Sequence, residues 1–200
     1  LPCVQLRSFS SLTFEQLQNQ ESKTRNTFIS TDFFQMLRAP SEYKDIILDD
    51  NHDLVSRNIC TIKHPFPKAQ THLIILPTCN LSHWKNVNET HLHLFYEMKE
   101  RGQQLIKEMP EENLKMGLFA VVGALKQIGL HVISEDMRSP HMNTKRLWNM
   151  FNTKYFIPID QVINSIEQDG KIEFDTKEYL DILREPLPCD KCNKSFHSTK

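Results

Sequence analysis

A chain of 200 residues with 24 Lys plus Arg against 25 Asp plus Glu carries a formal net charge of -1, which excludes a protein that attracts polyanions with its whole surface. An apolar fraction of 39% with only 5 glycines excludes a low-complexity architecture and fits one globular domain with small appendages. No apolar run approaches the length of a membrane span, and the 5 cysteines lack the dense spacing of a secreted disulfide scaffold, so a reducing compartment and no membrane contact are expected.

The chain opens Leu1-Pro2-Cys3 without a methionine, as a fragment or processed product would. Residues 1–32 are rich in Ser, Gln, Asn and Thr and predict a poorly ordered lead-in. From Asp32, a plausible N-cap, the spacing of Phe33, Met36 and Leu37 predicts an amphipathic turn that stops near Pro40. Three short apolar runs follow, at 46–48, 59–62 and 72–76, each bounded by Asn, Asp or Pro as strands are. Asn88 caps the strongest predicted helix, which runs through Met109. That helix contains His91-Leu92-His93, an alternation that looks like a strand-borne site, yet at helical pitch side chains two apart diverge. Residues 116–125 and 130–134 predict a hairpin or meander. Residues 159–168 read as a helix ended by Asp169-Gly170, residues 171–174 as a strand, and Tyr179 to Leu183 as a helical turn. The fold class is α+β, a mostly antiparallel sheet with flanking helices. The expected organisation is a lead-in at 1–32, a sheet domain at 33–158 and a C-terminal helical segment with an incomplete zinc finger at 159–200.

Two stretches carry candidate chemistry. Residues 139–155 hold Lys145, Arg146 and Lys154 without an acidic residue, a local basic patch suited to phosphates or, more plainly, a solvated loop. Cys189-x2-Cys192 has the spacing of two zinc thiolates, but His197 lies too close to the end at Lys200 for the usual downstream histidine pair. The expectation is a natural chain that continues, the alternative a half-knuckle that binds metal weakly. Cys3, Cys60 and Cys79 read as ordinary thiols.

Three motifs share an origin. Phe66-Pro67-Lys68-Ala69-Gln70-Thr71-His72 feeding Leu73 to Pro77, the run Leu130-His131-Val132-Ile133-Ser134 through Pro140, and the segment Asn143 to Phe156 with Trp148 together resemble the aprataxin family of histidine-triad proteins, and Cys189-Asp190-Lys191-Cys192 resembles the start of that family's zinc finger. The resemblance covers about residues 33 to 200. It implies a histidine-triad-like fold and a nuclear DNA-repair hydrolase that removes AMP from 5′-adenylated ends at single-strand breaks, acting as a monomer with a structural zinc ion held in part by Cys189 and Cys192. By the same resemblance His72 and His131 are catalytic, Lys68, Lys145 and Arg146 bind nucleotide or phosphate, and Lys145, Arg146 and Lys154 face DNA, with Trp148 packing the loop in place.

The departures matter as much. The family's His-x-His-x-His strand sets alternate imidazoles on one face, and the middle one attacks the adenylate phosphorus. Counting back from His131, the middle position is Gly129 and the first is Gln127. The upstream His-Ala-Ile/Val-Pro-Ser-Met is replaced by Phe119-Ala120-Val121-Val122-Gly123-Ala124-Leu125. The alternative function is therefore a catalytically impaired relative that binds nucleotides or DNA ends; a faulty sequence at residues 119–129 is a third. For His72 and His131, the bland possibility is a buried, hydrogen-bonded imidazole.

Overall fold

The computed structural model describes residues 33–38, 40–49, 57–122, 126–188 and 195–196. Five strands form one sheet: β1 (Ile59–Lys63), β2 (His72–Pro77), β3 (Leu114–Phe119), β4 (Leu130–Ser134) and β5 (Phe156–Ile157), in the order β1-β2-β4-β3-β5. Every neighbouring pair is antiparallel. The helices are α1 (Phe33–Arg38), α2 (Leu92–Glu108), α3 (Lys145–Asn152), α4 (Ile159–Asp169) and α5 (Thr176–Ile182).

β2 is buried along its whole length because it is a central strand covered on both faces. Leu73 and Ile75 point into a core with Phe95, Met98 and Leu105 of α2 and with Ile159, Val162, Ile163 and Ile166 of α4. His72 and its alternate neighbours face the other way. Helix α2 starts where its polar cap dictates. The Asn88 side chain accepts from Thr90 N–H, the His91 ring reaches back to Asn88 N–H, and a 3-10 turn at Glu89–His91 leads into the helix. On the inner side of α2, a Cβ on Gly102 would lie 2.8 Å from Met116 Sδ, so the absence of a side chain lets helix and sheet approach. Helix α4 stops at Gly170, whose φ of 68° is left-handed.

Several sequence expectations change. Residues 46–48 do not form a strand: Ile47 makes one bridge to Ile62, because Ile46 and Ile47 N–H already donate to Tyr43 O behind the 3-10 turn Pro40–Tyr43. Residues 171–174 are likewise no strand; Lys171 bridges Asn88 and the chain then enters the Asp175 cap of α5. The basic segment expected as a loop contains α3, started by Thr144, whose side chain accepts from Leu147 N–H. The short β5 has no counterpart among the expected strands. A separate two-stranded ribbon pairs β6 (Leu187–Pro188) with β7 (Ser195–Phe196), Leu187 opposite Phe196. Cys3, Cys189, Cys192, His197 and residues 123–125 lie outside the described residues.

Candidate nucleotide and phosphate site

The register of β2 against β4 sets Ile74 opposite His131 and His72 opposite Ile133. His72 and His131 are thus diagonal neighbours on one face, and their rings meet with Nε2 of His72 3.0 Å from Nδ1 of His131. Both are buried, 3% and 8% exposed. The backbone N–H of Lys68 donates to Nδ1 of His72 at 3.2 Å. That donor fixes the rest by elimination: Nδ1 of His72 accepts, its Nε2 carries the proton and donates to Nδ1 of His131, and the proton of neutral His131 resides on Nε2.

His64, which the sequence pattern does not single out, stacks on His72 with centroids 4.2 Å apart. It arrives there because its Nδ1 accepts from Phe66 N–H and closes the turn before Lys68. Its place just upstream of the Pro-Lys turn is the one signal the sequence offers. Aromatic side chains wall the group: Phe119 lies over His131 at 4.3 Å, and Phe151 of α3 meets His72 edge-on at 5.3 Å. Burial, and then the neighbouring charges of His64, His131 and Lys68, hold His72 well below the usual imidazole range. Burial does the same to His64, aided by His131, Lys68 and His141. Burial alone takes His131 down to about 3. The cluster is therefore neutral at pH 7, able to accept or donate hydrogen bonds but without fixed charge.

Lys68 supplies the nearby charge and is itself 8% exposed. Its turn is pinned to the end of β4, where Asp136 accepts from Gln70 N–H and Arg138 N–H, and Ser139 Oγ donates to Pro67 O. A cavity of about 580 Å³ opens beside His64 and His72, bounded by Pro67, Thr71 and, from α2, Arg101 and Glu108; neither Lys68 nor His131 lines it.

The two degenerate positions have become structural. A Cβ at Gly129 would lie 2.7 Å from Leu76 Cδ2 and 2.8 Å from Ile74 Cγ2, so aliphatic groups fill the space where a side chain would begin. Gln127 is 5% exposed. Its amide donates to Pro77 O at 2.9 Å and to Cys79 O, and its oxygen accepts from Leu81 N–H at 3.1 Å. Every arm of that side chain stitches the turn after β2.

Two of the three basic residues are engaged within the chain. Lys145 Nζ donates to Arg184 O at 2.7 Å, Lys154 pairs with Glu178, and Arg146 is exposed. Trp148 does not pack inward as expected: it is 37% exposed, because α3 turns Asn149 and Phe151 to the interior instead. Asn149 caps the Ile182 and Glu185 carbonyls at the end of α5. His91 and His93 lie in the 3-10 turn and in α2, as their sequence context implied. Among the described residues no helix is long and apolar enough to cross a membrane, and no group of three or more His, Cys, Asp or Glu is placed to hold a metal. Cys60 is buried, which pushes its thiol up to about 12.

An antiparallel five-stranded sheet backed by a long helix, with paired imidazoles on the facing side, defines a histidine-triad-like fold. The chain belongs to the family described as "Scavenger mRNA decapping enzyme C-term binding", which matches residues 31–147, more than half of its length. It is also similar to the aprataxins of Ciona intestinalis, 33% identical over 164 residues (80% of this chain, 41% of the relative), and Gallus gallus, 36% identical over 137 residues (68% and 43%). The chain thus spans about two fifths of the length of these curated relatives. Its fold matches the crystal structure of the aprataxin ortholog Hnt3 in complex with DNA with a TM-score of 0.55 at 17% identity, covering 83% of this chain and 86% of that one.

Proposed function

We propose that this chain binds AMP-bearing 5′ ends of broken or nicked DNA as a monomer in the nucleus, and that it has lost the histidine-adenylate route by which an aprataxin-like hydrolase would remove the AMP. Similarity to the aprataxins, and to the fold of the aprataxin ortholog Hnt3 in complex with DNA, supports the ligand class. One observation carries the loss: position 129 has no side chain, and Ile74 and Leu76 occupy the space a nucleophile would enter. His131 does not substitute, since its Nδ1 accepts from His72 and its Nε2 carries a proton. As an N–H donor on the same face of the sheet as His72 it suits a phosphate oxygen. Lys145, Arg146 and Lys154 supply backbone phosphate contacts in this reading.

Full hydrolysis is the second reading, favoured by family membership alone. Incubating the chain with 5′-adenylated nicked DNA separates the two. The binding reading expects saturable binding with no AMP release and no trapped protein adenylate. Turnover that His131→Ala abolishes would overturn it.

We further propose that Cys189 and Cys192 are two thiolate ligands of a structural zinc ion. Their spacing supports this, as does the antiparallel pairing of Pro188 with Ser195, which brings the chain on either side of them together. Zinc content of the purified chain, lost in Cys189→Ser, tests it.

A further inference from the structure

We propose a second binding site, distinct from the histidine face, that takes a nucleobase carrying a phosphate. It is a cavity of about 850 Å³ at the end of β3, bounded by residues 82–85 and 87, by residues 120–122 with Lys126, and by residues 171–174 and 176. The volume falls within the range of small-molecule pockets, roughly 300–1,000 Å³.

Its walls are apolar and fixed. Val87 and Ile172 are buried. Trp84 is held by a hydrogen bond from its Nε1 to Phe119 O at 3.1 Å and meets Phe174 edge-on, with centroids 5.1 Å apart. Its rim is cationic: Lys85, Lys126 and Lys171 line the cavity and are exposed, and the one acid among the lining residues, Glu173, already pairs with Lys171 at 2.8 Å. Asp169 also acts on Lys171, so Lys85 and Lys126 carry the positive charge at the edge of this apolar, aromatic hollow. An apolar wall with lysines at its edge matches a planar base with a phosphate attached, the combination that single-strand binding grooves use.

The site is separate from the histidines yet joined to them. Ala120 belongs to the core shared with α2 and α4, on the opposite side of the sheet from His131. Phe119 spans the two, its ring over His131 and its carbonyl on Trp84. The proposal goes beyond the function given above, because these residues are unused whether the histidine face hydrolyses or only binds.

The chemistry has two sources, a free mononucleotide or an unpaired nucleotide of a strand. The chain has 2 tryptophans, so Trp148→Phe leaves Trp84 as the sole indole reporter beside the cavity. That variant is titrated with AMP and with an octathymidylate, before and after adding Lys85→Gln and Lys126→Gln, both at exposed positions. Saturable change in Trp84 fluorescence that the lysine changes weaken about tenfold or more supports the site, and the salt slope for the oligonucleotide should fall by about 0.7 for each phosphate that a lysine ceases to neutralise. A response to the oligonucleotide alone assigns a strand; an equal response to AMP assigns the free nucleotide. No response from either probe, or affinity unchanged by the lysine changes, overturns the proposal. Adenylated nicked duplex is the parallel arm: its failure to bind counts against the proposed function and leaves the Trp84 titration to be judged by itself.

Discussion

The rings of His72 and His131 share one hydrogen bond, Nε2 to Nδ1 at 3.0 Å, across two strands whose register makes them diagonal neighbours. Because Lys68 N–H occupies the other nitrogen of His72, the direction of that bond is set, and with it the tautomer of His131. Fixed in this way, the pair behaves as a neutral, oriented unit with Phe119 and Phe151 packed against it.

That neutrality has a pH signature. His64, His72 and His131 titrate in the folded chain below their ordinary value of 6.5, so below about pH 6.5 the unfolded chain takes up protons that the folded chain refuses. Their contribution is fully present above pH 6.5 and is lost as pH falls toward the folded values, with a slope of about 1.4 kcal/mol per pH unit for each histidine. Urea unfolding at pH 7.5, 6 and 5 should show stability dropping with increasing steepness. His131→Phe should flatten the slope by roughly one histidine's share; an unchanged slope would mean that His131 is not buried neutral.

Restoring the family residue at 129 should not restore chemistry by itself. In Gly129→His the new Cβ meets Ile74 and Leu76 at under 3 Å, and overpacking of this kind costs about 1–3 kcal/mol. Chemical denaturation should register that loss, and AMP release from adenylated DNA should stay at background. Adding Ile74→Ala and Leu76→Ala should relieve the crowding at the expense of apolar burial. If the single variant folds as stably as the parent and turns over, the filled space at residue 129 is no obstacle.

Much of the framework was legible because it rests on local signals. Long apolar runs marked β2 and β4, Asn88 marked the start of the long helix, and Asp169-Gly170 marked the end of α4. Residues 46–48 misled because their strand-like composition says nothing about Tyr43 O, which takes the N–H groups a ladder requires. At the site, the sequence pointed to His72 and His131 but not to their bond, since strand register is a tertiary quantity. Nor could Gly129 announce that Ile74 and Leu76, from another strand, would fill its place. Helix α3 lay in a segment expected as a loop, and the exposure of its Trp148 was not legible either, because a tryptophan's burial depends on which helix face finds a partner.

Gln127 should matter for stability. Gln127→Ala removes the partners of Pro77 O, Cys79 O and Leu81 N–H at a buried site, which costs about 1–3 kcal/mol for each group that water does not reach. Gln127→His should also destabilise, because an imidazole has two ring nitrogens where the amide serves three backbone groups. Denaturation midpoints below that of the parent check both variants, and hydrogen exchange at Leu81 N–H should rise. Midpoints equal to the parent's would show the amide to be dispensable.

Salt dependence of DNA binding tests the basic residues individually. Arg146 is exposed, whereas Lys154 is engaged by Glu178 and Lys145 by Arg184 O. Surface ion pairs are weak, about 0–1 kcal/mol, so Lys154 is held loosely enough for a phosphate to compete. If Arg146 makes one phosphate contact, Arg146→Gln should reduce the slope of log affinity against log salt by about 0.9 on duplex DNA. Glu178→Gln acts in the opposite direction: it removes a negative charge beside Lys154, and duplex affinity at low salt should increase. The two effects should add, since Arg146 and Glu178 are not partners in any described interaction between them. A Glu178→Gln variant that binds DNA no better than the parent would take Lys154 out of the phosphate-binding set.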